Sequence, residues 1–149
     1  MKFMMNGAVT IGTLDGANIE IREAVGADNF FLFGMDAAEV EAARTGYDPQ
    51  AIIDSDEDLS RVISLLKRGH FNLSEKGIFY QILGAITSPH DPWMTAADFR
   101  SYVDAQQRVG EAYADSERWA RLAVLNTACS GRFSSDRTIS QYRDEIWYK

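Results

Sequence analysis

The sequence predicts an α/β protein that is mostly helical and contains few, parallel strands. Two short apolar runs, 8–13 and 29–33, have the length and the β-branched or aromatic content of buried strands. The residues between them repeat with a helical period, and Gly26 supplies a stop signal. A strand, a helix and a second strand within about 26 residues form a βαβ unit, whose two strands run parallel. The apolar positions of this helix are Ala17, Ile21, Ala24 and Val25.

Short polar residues before the helical segments are predicted to act as caps. Asp15 precedes the first helix, where a carboxylate can accept an unpaired N–H of the first turn. After Gly34 the periodicity is helical throughout, and Gly46, Gly69 and Gly131 mark predicted helix ends. The predicted helix starts are Asp36 with Glu39, Asp48 before Pro49, Ser55 with Asp58, Thr95 with Asp98, and Ser135 with Asp136.

A sheet of two parallel strands is a poor independent structure, because parallel sheets are normally larger and covered on both faces. Further strands are therefore expected before Met1. The opening MKFMMNG has the character of a helix end without its preceding loop. These features predict that residues 1–149 are the C-terminal part of a larger α/β protein.

Composition and charge exclude several classes of protein. Acidic residues number 22 against 15 lysines and arginines, and the formal net charge of −7 disfavours binding to nucleic acid or to an anionic membrane. Polar residues interrupt the apolar start, so it is not a signal peptide, and no run of about 18 apolar residues predicts a membrane span. The single cysteine, Cys129, fits a reducing compartment. A soluble, cytoplasmic protein is predicted.

Several residues that can carry chemistry have simpler structural interpretations. The GTLDG segment is predicted to be a strand-to-helix turn, with lining of a pocket as the alternative. His70 and His90 lack further ligands at metal-binding spacing, so no metal site is predicted. Cys129 is expected to be a small buried apolar residue. No catalytic residue is assigned.

Three segments carry a resemblance to a known family. They are MKFMMNGAVTIGTLDGANIEI, NFFLFGM and GRFSSDRTISQYRDEIW. The first closely resembles the corresponding segment of the α-glucan phosphorylases (glycogen, starch and maltodextrin phosphorylases), and the last resembles their C-terminal signature. The resemblance runs from residue 1 to residue 149. It implies the C-terminal portion of the cofactor-binding Rossmann-like domain of a two-domain, GT-B type glycosyltransferase, with the upstream part absent.

The resemblance also assigns a cofactor-binding residue. In the family the lysine of a K-F-M-x-N-G-A motif forms a Schiff base with pyridoxal 5′-phosphate, and Lys2 occupies that position here. The family holds the cofactor phosphate with a Gly-rich segment directly before this lysine, which is expected upstream of Met1. The 149-residue chain by itself is therefore expected to be inactive.

The implied function is phosphorolysis of α-1,4-glucan by inorganic phosphate, which yields glucose 1-phosphate with retention at the anomeric carbon. A homo-oligomer is expected, because the last helix carries a large apolar stripe at Ile139, Tyr142, Ile146 and Trp147. Two alternatives stay open. One is a non-catalytic folded or interaction fragment, and the other is a nucleotide-sugar glycosyltransferase of the same fold, although such an enzyme needs no Schiff-base lysine.

Overall fold

A computed structural model describes residues 1–148 of the chain. The chain divides into two compact units. Met1–Phe33 and Asp104–Lys149 form the first unit, and Gly34–Val103 forms the second unit. The helix that contains residues 103 and 104 is continuous and contributes to both.

The first unit contains the βαβ motif that the sequence predicts. The strands β1 and β2 run parallel, with Ile11 opposite Phe31 and Gly12 opposite Leu32. Its elements are α1 (Lys2–Met5), β1 (Ile11–Gly12), α2 (Ala17–Val25), a 3-10 turn (Ala27–Asn29), β2 (Phe31–Leu32), the last part of α7 (Thr95–Ala114), α8 (Ser116–Cys129), a second 3-10 turn (Ser130–Phe133), α9 (Ser135–Tyr142) and a π-helical turn (Arg143–Trp147).

Both strands are shorter than predicted, because turns use the hydrogen-bonding groups at their ends. The Ala8 N–H donates back to the Phe3 carbonyl at 3.0 Å and so completes α1. The Thr13 carbonyl accepts from the side chain of Asn18 at 3.0 Å. The Phe30 N–H donates to the Ala27 carbonyl inside the 3-10 turn. The predicted strands 8–13 and 29–33 are thus reduced to two residues each.

Two apolar clusters hold the first unit together. One surrounds Met4 and the other surrounds Phe31, and α8 contributes to both. The buried members of the first cluster are Met4, Ile21, Val25 and Phe30, and those of the second are Phe31, Ala112 and Leu122. Arg108 adds a polar contact, since its guanidinium donates to the Leu32 carbonyl at 2.8 Å.

The second unit is helical and has one apolar cluster of its own, formed by Ile53, Leu59, Ile63, Leu83 and Ala96. Its elements are α3 (Ala37–Arg44), α4 (Pro49–Ser55), α5 (Glu57–Lys67), α6 (Tyr80–Ile86) and the first part of α7. The predicted capping box of Asp36 and Glu39 is present, and Asp48 caps α4 directly before Pro49.

The predicted starts at Thr95 and Ser135 are the first residues of α7 and α9, whereas α5 begins at Glu57 and not at Ser55. At all three starts the polar side chains that accept the first N–H groups differ from prediction. Asp56 caps α5, because the hydroxyl of Ser55 is bonded to the Ile52 carbonyl of the preceding helix. Asp91 accepts the N–H of Thr95 at the start of α7, whereas the Asp98 carboxylate accepts the N–H of Met35. Ser134 caps α9, one residue before the predicted start.

The buried isoleucines of the second unit give a direct test of this core. Ile63→Ala is expected to lower the free energy of unfolding by between about 2 and 5 kcal/mol, because Ile63 is only 2% exposed and its truncation leaves a cavity. The matched control is Ile82→Ala, since Ile82 is 51% exposed and its truncation is expected to change stability by less than about 0.5 kcal/mol. Urea denaturation followed by circular dichroism measures both. Equal losses of unfolding free energy in the two variants would contradict the position of Ile63 in the core.

Two carboxylates of the second unit are expected to have opposite effects on stability when they ionise. The hydrogen bond from Arg100 lowers the pKa of Asp56, whereas burial raises the pKa of Asp98. The Asp56 carboxylate thus stabilises the fold above its unfolded pKa of about 3.9, and this contribution disappears as the pH falls through the folded pKa. The half-buried Asp98 carboxylate destabilises the fold at neutral pH, and protonation relieves this as the pH falls through its raised pKa.

Asparagine substitutions keep the acceptor oxygen of each carboxylate and remove its charge. Asp56→Asn is expected to be less stable than the unsubstituted chain at neutral pH, and the difference should shrink below about pH 4. Asp98→Asn is expected to be at least as stable at neutral pH, and its advantage should also shrink in acid. Urea midpoints measured from about pH 3 to pH 7 decide the signs. If both variants were less stable than the unsubstituted chain at neutral pH, or both more stable, the opposite roles of the two carboxylates would be refuted.

Candidate functional site

Lys2 is the first residue of α1, and its side chain is exposed. Among the described residues its amine forms neither an ion pair nor a hydrogen bond. The neighbouring Phe3 and Met5 side chains are exposed as well. The amine is therefore accessible, and the same helix exposes two apolar side chains.

Backbone and side-chain hydrogen bonds close the end of the Lys2 helix. The Gly7 N–H donates to the Met4 carbonyl and the Ala8 N–H donates to the Phe3 carbonyl, both at 3.0 Å. With Gly7 at a φ of +77°, this pair of bonds is a Schellman motif. The side chain of Asn6 donates to the Lys2 carbonyl at 2.9 Å. The NG pair of the opening motif therefore ends the helix that carries the lysine.

The buried residue of α1 is Met4, and it anchors this helix. Its side chain packs against Ile21 and Val25 of α2 and against Phe30 next to β2. The half-buried side chains of Leu125 and Cys129 on α8 cover the same cluster. Lys2 is thus fixed to the βαβ motif through its neighbour two residues along the chain.

The GTLDG segment is a strand-to-helix turn, but Asp15 does not cap α2 as predicted. Gly16 occupies the N-cap position at a φ of +46°, and no side chain caps the helix there. The Asp15 carboxylate instead accepts from the Thr13 hydroxyl at 3.2 Å, and its carbonyl accepts from the Asn18 N–H. The prediction placed the cap one residue too early, because glycine can adopt the backbone angles of this start.

A cavity of about 400 Å³ lies beside the start of α1. Its lining includes two arginines that are bonded to other groups of the protein. Arg132 forms an ion pair of 3.1 Å with Glu23, and Arg137 donates to the Arg132 carbonyl and to Gln141. The lining residues are Met1, Ala17, Glu20, Arg132, Phe133, Arg137 and Gln141. Sequence reasoning missed this cavity, because its residues are far apart along the chain.

Asn126 on α8 is a second feature that sequence reasoning missed. It is fully buried, and its amide donates to the Leu122 carbonyl at 2.9 Å, while its Oδ1 accepts no hydrogen bond from the described residues. An asparagine within a helix is usually exposed, so its spacing gave no signal. A buried acceptor without a partner is unfavourable by about 1–3 kcal/mol.

The environment of the Lys2 amine is compatible with attachment of pyridoxal 5′-phosphate. An aldehyde cofactor needs a primary amine that is accessible and free of competing partners. Lys2 meets both conditions on the surface that the chain presents. The two arginines of the neighbouring cavity already have protein partners, so no phosphate-binding role is assigned to them.

The other candidate residues lie in structural environments. His70 packs edge-on against Phe71 with ring centroids 5.1 Å apart, and Cys129 is half-buried against the Met4 cluster. Within residues 1–148 no group of three or more His, Cys, Asp or Glu side chains is placed to hold a metal ion. The helices in the same part of the chain are too short or too polar to cross a bilayer.

Comparison with known proteins gives the family. The sequence model of the family described as carbohydrate phosphorylase matches residues 1–149. The glycogen phosphorylase of Synechocystis sp. is 51% identical over 148 residues, which cover 99% of this chain and 17% of that protein. The muscle form of glycogen phosphorylase from Rattus norvegicus is 44% identical, and the glycogen phosphorylase of Chlamydia pneumoniae is 40% identical, each over 99% of this chain and 18% of the relative.

The chain thus spans 17–18% of the length of these curated relatives. The match begins with the lysine helix and runs through the βαβ motif to the terminal segment, which are the parts of the sequence that carry the resemblance. The chain belongs to the carbohydrate phosphorylase family.

Proposed function

We propose that this chain is the segment of a cytoplasmic glycogen phosphorylase that binds pyridoxal 5′-phosphate through Lys2. The observation that carries the proposal is an accessible lysine amine on a short helix that the buried side chain of Met4 anchors, in a chain of this family. The reaction is phosphorolysis of α-1,4-glucan. The terminal glycosidic bond breaks, the anomeric carbon forms a bond to an oxygen of inorganic phosphate, and the shortened glucan takes up a proton at its new chain end.

In this function Lys2 anchors the cofactor and does not transfer the proton. When bound, the cofactor supplies a phosphate group that assists proton transfer through inorganic phosphate. The Schellman motif at Gly7 and the buried side chain of Met4 hold the backbone from which Lys2 projects. The exposed side chains of Phe3 and Met5 provide apolar surface on the helix that carries the amine, which supports a site that excludes water once covered.

The same proposal covers the architecture. We infer that residues 1–149 are the C-terminal part of the Rossmann-like, cofactor-binding domain of a GT-B type enzyme. The parallel pair β1 and β2, joined through α2, supports this, because βαβ units are the building blocks of such domains. The natural partners of the whole enzyme are then α-1,4-glucan and inorganic phosphate.

A chimeric enzyme tests the role of Lys2. This chain replaces the matched segment of the Synechocystis glycogen phosphorylase, and glucose 1-phosphate formation from maltooligosaccharide and phosphate is measured. Lys2→Ala is expected to lower kcat at least about a thousandfold, because the cofactor loses its covalent anchor. It should also abolish the cofactor that borohydride fixes to the protein. The 149-residue chain by itself is expected to form no glucose 1-phosphate.

Lys67→Ala is the matched control, since Lys67 is an exposed lysine at the end of α5. Its kcat and its fixed cofactor should equal those of the chimera without substitution. Fixation on a lysine other than Lys2, or full activity of Lys2→Ala, would contradict the assignment. Activity that needs a nucleotide sugar and no pyridoxal phosphate would favour a nucleotide-sugar glycosyltransferase, and an inactive chimera without fixed cofactor would favour a non-catalytic interaction segment.

A second copy of this chain is the partner proposed for its C-terminal face. Ile139, Tyr142, Ile146 and Trp147 are all exposed, and Tyr142 stacks on Trp147. Hydrogen bonds connect Arg137 to Gln141 and Gln141 to Glu145 along one row of this helical segment. Antiparallel pairing of two copies would place the Arg137 end of one row against the Glu145 end of the other, so the charges are complementary.

The chain is therefore expected to self-associate at micromolar concentration, and sedimentation equilibrium measures this. Ile146→Ser should weaken the association at least about tenfold, because it removes exposed apolar area from the face. Ile82→Ser is the control, since Ile82 is similarly exposed but lies in the second unit. A monomer at all concentrations, or equal weakening by both variants, would rule out this interface.

A further inference from the structure

We propose that Gly7 and Ala123 are positioning residues for Lys2, because close packing of the Gly7 turn against α8 fixes the orientation of the lysine helix. This inference rests on the proposed role of Lys2 as the cofactor anchor. It concerns residues that never touch the cofactor, and it assigns a function to a contact between segments that are more than a hundred residues apart in the sequence.

The Lys2 helix needs an external support. It has four residues, and a helix of this length is unstable by itself in water because nucleation outweighs so few hydrogen bonds. Lys2, Phe3 and Met5 are exposed, so burial of Met4 alone ties the helix to the core. With only the Met4 side chain buried, the helix could still rotate about that side chain. A second fixed point is required to set the direction in which Lys2 projects.

Gly7 supplies that second point. A Cβ atom at Gly7 would lie 3.3 Å from the Ala123 Cβ, 3.5 Å from the Ala123 carbonyl oxygen and 3.6 Å from the Thr127 Oγ1. The turn therefore approaches one face of α8 so closely that a Cβ at position 7 would press on Ala123. α8 is a 14-residue helix that also packs on α2, so it is a rigid support for this contact.

The site requires glycine for two separate reasons. A residue with a Cβ is strained at a φ of +77°, and its Cβ would also press the turn away from α8. Gly26 separates these effects. Its φ is +87°, yet a Cβ there would meet only the end of the Asn29 side chain at 3.4 Å. Gly7→Ala and Gly26→Ala therefore share the backbone strain, whereas only Gly7→Ala displaces the lysine helix.

Methionine oxidation reports the position of this helix. Met4 is 2% exposed and its neighbour Met5 is 61% exposed, while Met94 in the second unit is 1% exposed. In the 149-residue chain treated with dilute peroxide, Met4 should be oxidised at least about tenfold more slowly than Met5. In Gly7→Ala the two rates should come within about threefold of each other. Met94 should stay protected in both proteins, which shows that the second unit remains folded.

Two further variants make the test specific. Gly26→Ala should keep the slow oxidation of Met4, because it adds strain without a contact to α8. Ala123→Gly removes the atom nearest to a Cβ at position 7. The double variant Gly7→Ala with Ala123→Gly should therefore reverse at least about half of the increase in the logarithm of the Met4 oxidation rate. Fast oxidation of Met4 in the unsubstituted chain, or slow oxidation of Met4 in Gly7→Ala, would overturn the proposal.

Cofactor fixation links the position of the helix to Lys2. In the chimeric enzyme at subsaturating pyridoxal phosphate, Gly7→Ala should lower the ratio of borohydride-fixed label on Lys2 to total enzyme about fivefold relative to the chimera without substitution. Gly26→Ala should leave this ratio unchanged, and Ala123→Gly should partly restore it in the double variant. Unchanged labelling of Lys2 in Gly7→Ala, with Met4 oxidised, would overturn the positioning role alone. A chimera that never fixes cofactor on Lys2 would overturn the proposed function and this inference together.

Discussion

The burial of Met4 is the interaction on which the candidate site depends. Its side chain lies among Ile21, Val25 and Phe30, and it joins a four-residue helix to the βαβ motif. Without this contact the start of the chain would have no apolar anchor, since the side chains on both sides of Met4 are exposed. A lysine can take a defined place next to a protein core only when its backbone is held in this way.

The Gly7 turn and α8 convert this anchor into a defined geometry. Glycine serves two purposes here, because it permits the positive φ of the Schellman motif and lets the chain approach Ala123 closely. The polar groups of the turn are satisfied locally by Asn6, Gly7 and Ala8. The segment thus combines an exposed amine with a helix end that is closed by hydrogen bonds. This combination supports the proposed role of Lys2 as a cofactor anchor.

Family membership and chemistry are separate conclusions for this chain. The match over residues 1–149 places it among the carbohydrate phosphorylases, and its relatives are glycogen phosphorylases of which it spans 17–18%. The structure adds an accessible amine at Lys2 and two arginines in a neighbouring cavity that are bonded to other protein groups. The proposed anchoring role therefore depends on Lys2 and its support, and no role in proton transfer is derived for this chain.

Sequence alone determined the elements whose signals are local. The helical end at MKFMMNG, the parallel βαβ order, the Asp36 capping box and the Asp48-Pro49 start are confirmed, because each depends on residues within a few positions of one another. The resemblance identified the family from contiguous motifs. The assignment of the cofactor to Lys2 stays a prediction.

Tertiary structure decided the features that depend on contacts between distant segments. The strand lengths and the cap of α2 differ from prediction, because neighbouring turns compete for the same backbone groups. The contact of Gly7 with Ala123 and the cavity at Arg132 both join residues that are far apart in the chain. Local propensity carries no information about such contacts, since they arise only when α8 packs against the lysine helix and α2.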